Sequence, residues 1–304
     1  MSEAWRAAEI LRAGGLVAFP TETVYGLGAD ARNPAAVARV FAAKGRPRFN
    51  PLIAHVPDLA AARAHARLHP LAIRLAERFW PGPLTLVAPR LESSSVSELA
   101  CAGLSTIALR APAHALAQEL LAAFGAPIAA PSANRSGHVS ATTAAHVRED
   151  LGTLVDSVLD GGPATLGLES AIVAVGDDGR AALLRAGAIA RAEIEAVTGE
   201  LGSAPAAIAA PGMMSSHYAP RARLRLDAEA PRPGEAYLAF AAPAPRGGLT
   251  LSERGDLVEA AACLYAHLRT LDALGADVIA VAPIPNEGLG EAIRDRLARA
   301  AAPR

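Results

Sequence analysis

Short apolar runs alternate with amphipathic segments along the chain, a pattern that indicates an α/β fold built on a mixed sheet, with a second, smaller α/β domain behind it. Apolar runs of strand length at 16–19, 52–56, 84–88, 106–109 and 127–130 are separated by segments of helical period. Gly176-Asp177-Asp178-Gly179 lies between two more such runs and is a hairpin signal, so at least one pair of strands is antiparallel. Of the 304 residues, 52% are hydrophobic and 19% charged, enough apolar material for large cores and a length that suits about two domains.

Ser2 and Glu3 can cap a first helix that Gly14-Gly15 stop. The strand at 16–19 ends at Pro20, and the hydroxyl- and glycine-rich residues 21–30 read as a strand-end loop. Asn33-Pro34 open a second helix with Val37, Val40 and Phe41 on its apolar side, and this helix delivers Lys44. After the strand at 52–56, helices are expected at 58–67 and 70–79. Pro81-Gly82-Pro83 turns into the strand at 84–88, and the serine-rich 92–98 is a loop. The strand at 106–110 precedes a helix at 112–124, the strand at 127–130 and a polar loop at 131–138. A helix near 142–151, strands at 169–175 and 181–185, and a helix at 190–198 complete the first domain, 1–198. An Ala/Pro/Gly/Ser-rich linker, 199–220, leads to the second domain, 221–304, with strands at 223–226, 236–240 and 278–282 and helices at 256–274 and 288–301.

Net charge is −1. Neither part of the chain has the positive balance of a protein that binds nucleic acid chiefly through phosphates, so no strong direct nucleic-acid binding is expected. Cys101 and Cys263 form no CxxC pair, which argues against a zinc site or a disulfide scaffold. No apolar run is long enough to cross a membrane and no signal peptide is evident, so a cytoplasmic protein is expected.

Lys44 is the only lysine; every other basic residue except the histidines is arginine. With Arg46, Arg48 and Asn50 it forms a cationic segment that reads either as a basic helix end stopped by Gly45 or as a phosphate clamp. Ser132 and Asn134, with Ser136 and Ser140 nearby, supply short donors and acceptors on a strand-end loop, where they serve turn chemistry equally well. Arg110 and Arg185 each end an apolar strand, a costly position unless the guanidinium reaches solvent or an anion. Thr21, Thr23, His55 and Ser170 lie at the edges of other apolar runs. His65 and His69 have the four-residue spacing of a metal pair but no third ligand, and read as solvated. P-loop, GxGxxG and GxSxG motifs are missing. Together the polar strand ends would line one cavity suited to anions and a small polar ligand.

Several stretches carry a more specific signal. Phe19-Pro20-Thr21-Glu22-Thr23-Val24-Tyr25-Gly26-Leu27, Lys44-Gly45-Arg46-Pro47 with Asn50-Pro51-Leu52, Trp80-Pro81-Gly82-Pro83-Leu84-Thr85 and Ala130-Pro131-Ser132-Ala133-Asn134-Arg135-Ser136-Gly137 resemble the YrdC-type threonylcarbamoyl-AMP synthases. Gly167-Leu168-Glu169-Ser170 and Leu184-Arg185-Ala186-Gly187-Ala188-Ile189 fit the same family, and Pro211-Gly212 with His217-Tyr218-Ala219-Pro220 is similar to its long, two-domain form.

The resemblance implies a twisted mixed sheet with helices around a ligand cavity, plus a Rossmann-like C-terminal domain. It also implies formation of threonylcarbamoyl-adenylate and pyrophosphate from L-threonine, bicarbonate and ATP with Mg²⁺. Partner proteins would then transfer the threonylcarbamoyl group to an adenosine beside the tRNA anticodon. Lys44, Arg46, Ser132 and Asn134 would form the catalytic set. Thr23, His55, Arg110, Ala130 and Ser170 would hold threonine, while Arg46, Asn50, Thr106, Ser132, Ser140, Arg185 and Tyr218 would contact ATP. Two departures from the family pattern stand out: Ala171, where threonine is usual, and Met214-Ser215-Ser216 before His217, where a basic or aromatic residue is common. A non-catalytic RNA-binding module using the same cavity is the rival reading. A carbamoyl-transfer module of the hydrogenase-maturation kind lacks support because its cysteine-rich zinc motifs are missing.

Overall fold

The computed structural model describes residues 2–202 and 216–303, so the expectations at 211–215, including Met214 and Ser215, lie outside the described residues. Two sheets organise it. The larger has nine strands in the order β7-β1-β2-β6-β3-β5-β4-β8-β9. They are β1 (Val17–Phe19), β2 (Gly26–Asp30), β3 (Ile53–His55), β4 (Leu84–Pro89), β5 (Thr106–Arg110), β6 (Ile128–Ala129), β7 (Ser157–Val158), β8 (Ala171–Val175) and β9 (Ala181–Arg185). Pairings are mixed as expected: β3 with β5 and β4 with β8 are parallel, while β1 with β2, β4 with β5 and the β8–β9 hairpin are antiparallel.

Period-two alternation along β1 separates the two faces. Val17 and Phe19 pack with Ala4, Ala8 and Leu11 of α1 (Glu3–Arg12) and Leu120 and Leu121 of α5 (Ala115–Phe124). Leu16 and Ala18 face Val37, Val40 and Phe41 of α2 (Pro34–Lys44) and Val147 of α6 (Ala144–Leu151). Farther along the sheet, Leu71, Leu75 and Ala76 of α4 (Pro70–Phe79) and Ile194 of α7 (Arg191–Thr198) cover Leu84, Leu86, Val173 and Val175.

The smaller sheet is all parallel, in the order β10-β13-β11-β12, from β10 (Arg223–Arg225), β11 (Ala236–Ala239), β12 (Leu249–Thr250) and β13 (Val278–Val281). Leu264 and Leu268 of α8 (Leu257–Ala273) and Ile293 and Leu297 of α9 (Gly290–Ala301) pack against Leu238, Ile279 and Val281.

Three expectations change. Residues 26–30 are strand, not loop: glycine reads as a breaker, yet a Cβ on Gly28 would come within 2.8 Å of Ile128 and 2.9 Å of Phe19, so the bare backbone lets neighbouring side chains cross this strand. The expected helix at 58–67 contracts to α3 (Leu59–Ala62), because Ala66 bridges to Arg90 at the sheet margin. His65 is buried rather than solvated, with Nδ1 3.2 Å from the Ser94 hydroxyl, and His69 caps α4 by accepting from the Leu71 amide. The two-residue strands β7 and β12 are too short for periodicity to reveal.

Candidate functional site

Strand ends of the large sheet converge on one cavity. Its walls include Thr21, Thr23, Arg46, His55, Arg110, Ala130, Ser132, Ser170, Arg185 and Tyr218, all expected from the sequence. The parallel β3–β5 register places His55 beside Arg110, and an isolated bridge joins Ser132 to Gly26. Val24, Tyr25 and Ile53 add apolar wall.

Of the two readings of Lys44, the structure bears on the helix end. Lys44 ends α2, which Gly45 stops in the left-handed region at φ 61°, and it is nonetheless buried. Its ammonium donates to the Ser132 carbonyl at 2.5 Å and to the Asn134 carbonyl, so the helix end fixes the Ser132–Asn134 loop. Burial, with the Arg46 charge nearby, pushes its pKa well below the usual lysine value. Arg46 turns back on its own segment, donating to the Asn50 carbonyl at 3.1 Å and the Pro51 carbonyl at 2.8 Å. Burial lowers it to about 10. The recorded partners of both cations are carbonyl dipoles, which leave net positive charge at the cavity.

Arg185 donates to the Ser170 carbonyl at 2.9 Å and to its hydroxyl at 3.1 Å, and that hydroxyl lies 2.7 Å from Thr85 Oγ1. The Thr21 and Thr23 hydroxyls are 2.8 Å apart. His55 is buried against Phe19, its Nδ1 has no partner among the described residues, and burial, aided by the Arg110 charge, lowers its pKa to about 3. It is neutral near pH 7.

Five of the expected residues stand behind the wall. Lys44 acts as described. Asn134 is fully buried, donating through Nδ2 to the Arg135 and His138 carbonyls, and its Oδ1 has no partner among the described residues. Asn50 is buried in the Arg46 turn. Thr106 lies at the far end of β5; carrying the Ile53–Ala108 register back two residues sets it level with Pro51. The Ser140 hydroxyl donates to Glu169 at 2.6 Å.

Glu169, one of the site residues that sequence reasoning did not assign, also receives the Tyr265 hydroxyl of α8 at 2.7 Å and Arg296 Nε of α9 at 2.9 Å. Burial opposes its charge, but Arg296 and Arg185 overcome that and hold its pKa at about 2. Arg296, 1% exposed, sits 5.1 Å over the Tyr218 ring, whose other neighbours are Tyr265, stacked at 5.7 Å, and His217 at 4.1 Å. This packing holds Tyr218 at φ 63°, in the left-handed region that bulky side chains avoid. The strap 217–219 is further pinned by the His217 amide to the Arg299 carbonyl at 3.2 Å and the Ala219 amide to the Gly137 carbonyl at 2.8 Å. His217 also lines the cavity, and burial lowers it to about 3. Glu22 and Thr85 are further supporting residues. Their signal was adjacency to the expected Thr21-Thr23 and Pro81-Gly82-Pro83 motifs, but only the fold shows their partners. Among the described residues no group of three or more His, Cys, Asp or Glu side chains is placed to hold a metal ion.

Comparison with known proteins places this geometry in a family. A family profile described as Telomere recombination, the Sua5–YciO–YrdC group, matches residues 9–187, and one described as Threonylcarbamoyl-AMP synthase, C-terminal domain, matches 189–302. Threonylcarbamoyl-AMP synthase of Pyrococcus abyssi is 41% identical, covering 98% of this chain and 94% of the relative. The same-named protein of Bacillus subtilis is 40% identical over 97% of this chain and 92% of the relative. The crystal structure of P. abyssi Sua5 complexed with L-threonine superposes with a TM-score of 0.90 at 38% identity, covering 98% of this chain and 94% of that one. Full-length HypF, at 17% identity and a TM-score of 0.55 over 62% of this chain and 29% of its own, shares the fold alone. This chain belongs to the Sua5–YciO–YrdC family and carries the C-terminal domain of the threonylcarbamoyl-AMP synthases.

Proposed function

We infer that this protein is an ATP-dependent L-threonylcarbamoyladenylate synthase. The observation that carries the reading is the convergence of Arg46, Ser132, His55, Arg110, Ser170, Arg185 and Tyr218 on one cavity, in a chain 41% identical over nearly its full length to a protein of that name. In this reading the threonine amine is carboxylated by bicarbonate with loss of water. A carbamate oxygen then attacks the α-phosphorus of ATP, and pyrophosphate leaves.

The chemistry of the walls suits those steps. Arg110 grips the threonine carboxylate, with Thr23, His55, the Ala130 backbone and Ser170 around the rest of the amino acid. Neutral His55 can share a hydrogen bond with threonine without adding charge. Arg46, Ser132, Arg185 and Tyr218 take the nucleotide from the other side, with Asn50, Thr106 and Ser140 supporting that wall from behind. Lys44 and Arg46 offset the charge that develops as pyrophosphate departs, and Lys44 and Asn134 fix the loop that presents Ser132. Catalysis is then positioning and electrostatics, with no covalent enzyme intermediate. Magnesium arrives on the triphosphate as part of the substrate. The domain division 1–198, linker 199–220 and 221–304 belongs to the same reading: the linker's end lines the cavity and the last domain braces it. The product is a mixed anhydride that downstream transfer proteins pass to tRNA.

The test is threonine-dependent pyrophosphate release. Folded protein with ATP, Mg²⁺ and bicarbonate should release pyrophosphate only when L-threonine is added; equal release without threonine, or none with it, overturns the assignment.

A further inference from the structure

Glu22 puts a buried carboxylate beside Arg110, close to where an anionic substrate is to bind. Its neighbours Thr21 and Thr23 line the cavity, whereas Glu22 does not. Its side chain is 10% exposed and that of Arg110 5%. Both carboxylate oxygens are engaged: Oε1 accepts from Arg110 Nη2 at 2.7 Å, and Oε2 accepts from the Ala113 amide at 3.0 Å. The Glu22 carbonyl accepts the Leu166 amide at 2.8 Å, tying its own backbone in place. Arg110 is held on a second side by its Nε, which donates to the Gly82 carbonyl at 3.3 Å.

Of the five N–H donors of a guanidinium, Nε and one Nη2 hydrogen are thus occupied. Both Nη1 hydrogens and the second Nη2 hydrogen have no recorded partner among the described residues, enough for a two-pronged grip on a carboxylate.

We propose that Glu22 is the positioning residue for Arg110, locking its guanidinium so that the Nη1–Nη2 edge faces the threonine carboxylate. The proposal rests on the assignment of Arg110 to threonine given above. Glu22 presents two acceptors to two donors. Glutamine offers one acceptor and one donor, so in Glu22→Gln either the Arg110 or the Ala113 contact is lost. Aspartate keeps both acceptors on a shorter stem. An unlocked guanidinium must be ordered when threonine binds, which weakens ground-state and transition-state binding alike and so raises KM at constant kcat.

Steady-state pyrophosphate release separates the possibilities. Glu22→Gln should raise the KM for L-threonine about 10-fold, equivalent to about 1.4 kcal/mol, while kcat and the KM for ATP stay within about 2-fold. Glu22→Asp should recover most of the threonine KM. Arg110→Lys, which removes the fork, should raise the threonine KM at least as much as Glu22→Gln. An unchanged threonine KM in Glu22→Gln alongside a raised one in Arg110→Lys overturns the role of Glu22 alone. An unchanged KM in Arg110→Lys overturns the assignment of Arg110 to threonine. If Glu22→Gln does not fold, Glu22→Asp decides through its residual effect: the shorter stem should leave the threonine KM raised about 2- to 3-fold with the ATP KM unchanged, and equal changes in both, or none, overturn the role.

Discussion

The Lys44–Arg46 segment beside the large sheet and Arg296 of the small domain are buried in opposite ways, and the contrast bears on which charge stays available to a ligand. Around the large sheet, Lys44 and Arg46 are buried with carbonyl oxygens as their recorded partners, beside an open cavity. In the small domain Arg296 is buried as deeply, but Glu169 and Asp295 accept from it and Tyr218 covers its face. Carbonyl dipoles hold a cation in place without cancelling its charge, so Lys44 and Arg46 still attract an anion. Carboxylates cancel it, so Arg296 stabilises a wall. Arg110 combines the two arrangements: Glu22 engages part of its guanidinium, and three of its N–H donors have no recorded partner among the described residues.

Lys44→Ala makes the harshest test of this distinction. Pyrophosphate release should fall by about 10²–10³ while the KM for threonine changes by less than about 3-fold, because Lys44 stands behind the part of the cavity that the proposed function gives to the phosphates. Intact turnover would place the catalytic centre elsewhere. Arg296→Ala should act mainly through stability: leaving Glu169 unpaired in the interior lowers unfolding free energy by about 3–5 kcal/mol in denaturant titration. The paired replacement Glu169→Gln with Arg296→Met should recover most of that loss, and failure to recover would show that the bridge does more than brace.

Acid should strike the bracing side. Glu169 titrates at about 2 when folded and near 4.5 when free, so its contribution is present above pH 4.5 and lost as pH falls toward 2. His55 and His217, neutral in the fold at about 3 against 6.5 when free, lose stability from pH 6.5 downward. Melting temperature measured against pH should therefore fall below pH 6.5 and more steeply below 4.5; a flat profile would contradict the burial of these groups. The opposite sign applies to Lys44: its lowered pKa means that pyrophosphate should bind more weakly as pH rises and the ammonium is lost. Asn33→Ala carries the smallest expected effect. It removes the N-cap of α2, at the other end from Lys44, and should cost about 1 kcal/mol of stability without altering the threonine KM.

Much of the site was legible because its residues break rules that ordinary strands obey. An arginine ending an apolar run, as at Arg110 and Arg185, or a lone lysine among arginines, is conspicuous in one dimension. Glu22 and Thr85 were not, since a carboxylate or a hydroxyl beside a turn is commonplace until its partner is known. Gly26 and Gly28 misled the strand assignment because their use, admitting Phe19 and Ile128 side chains against a bare strand, is a tertiary contact.

Local pattern fixed the α/β class, the helix caps at Ser2, Asn33 and Gly45, and the polar character of the strand ends, since each follows from periodicity or from the conformational preference of a single residue. The order of the nine strands, the meeting of Lys44 with Ser132 and Asn134, and the reach of Tyr265 and Arg296 from the small domain to Glu169 came only with the folded chain. These contacts join residues about 90 to 130 positions apart. A separation of that size is bridged by packing of whole faces, and a local sequence pattern carries no record of which face meets which.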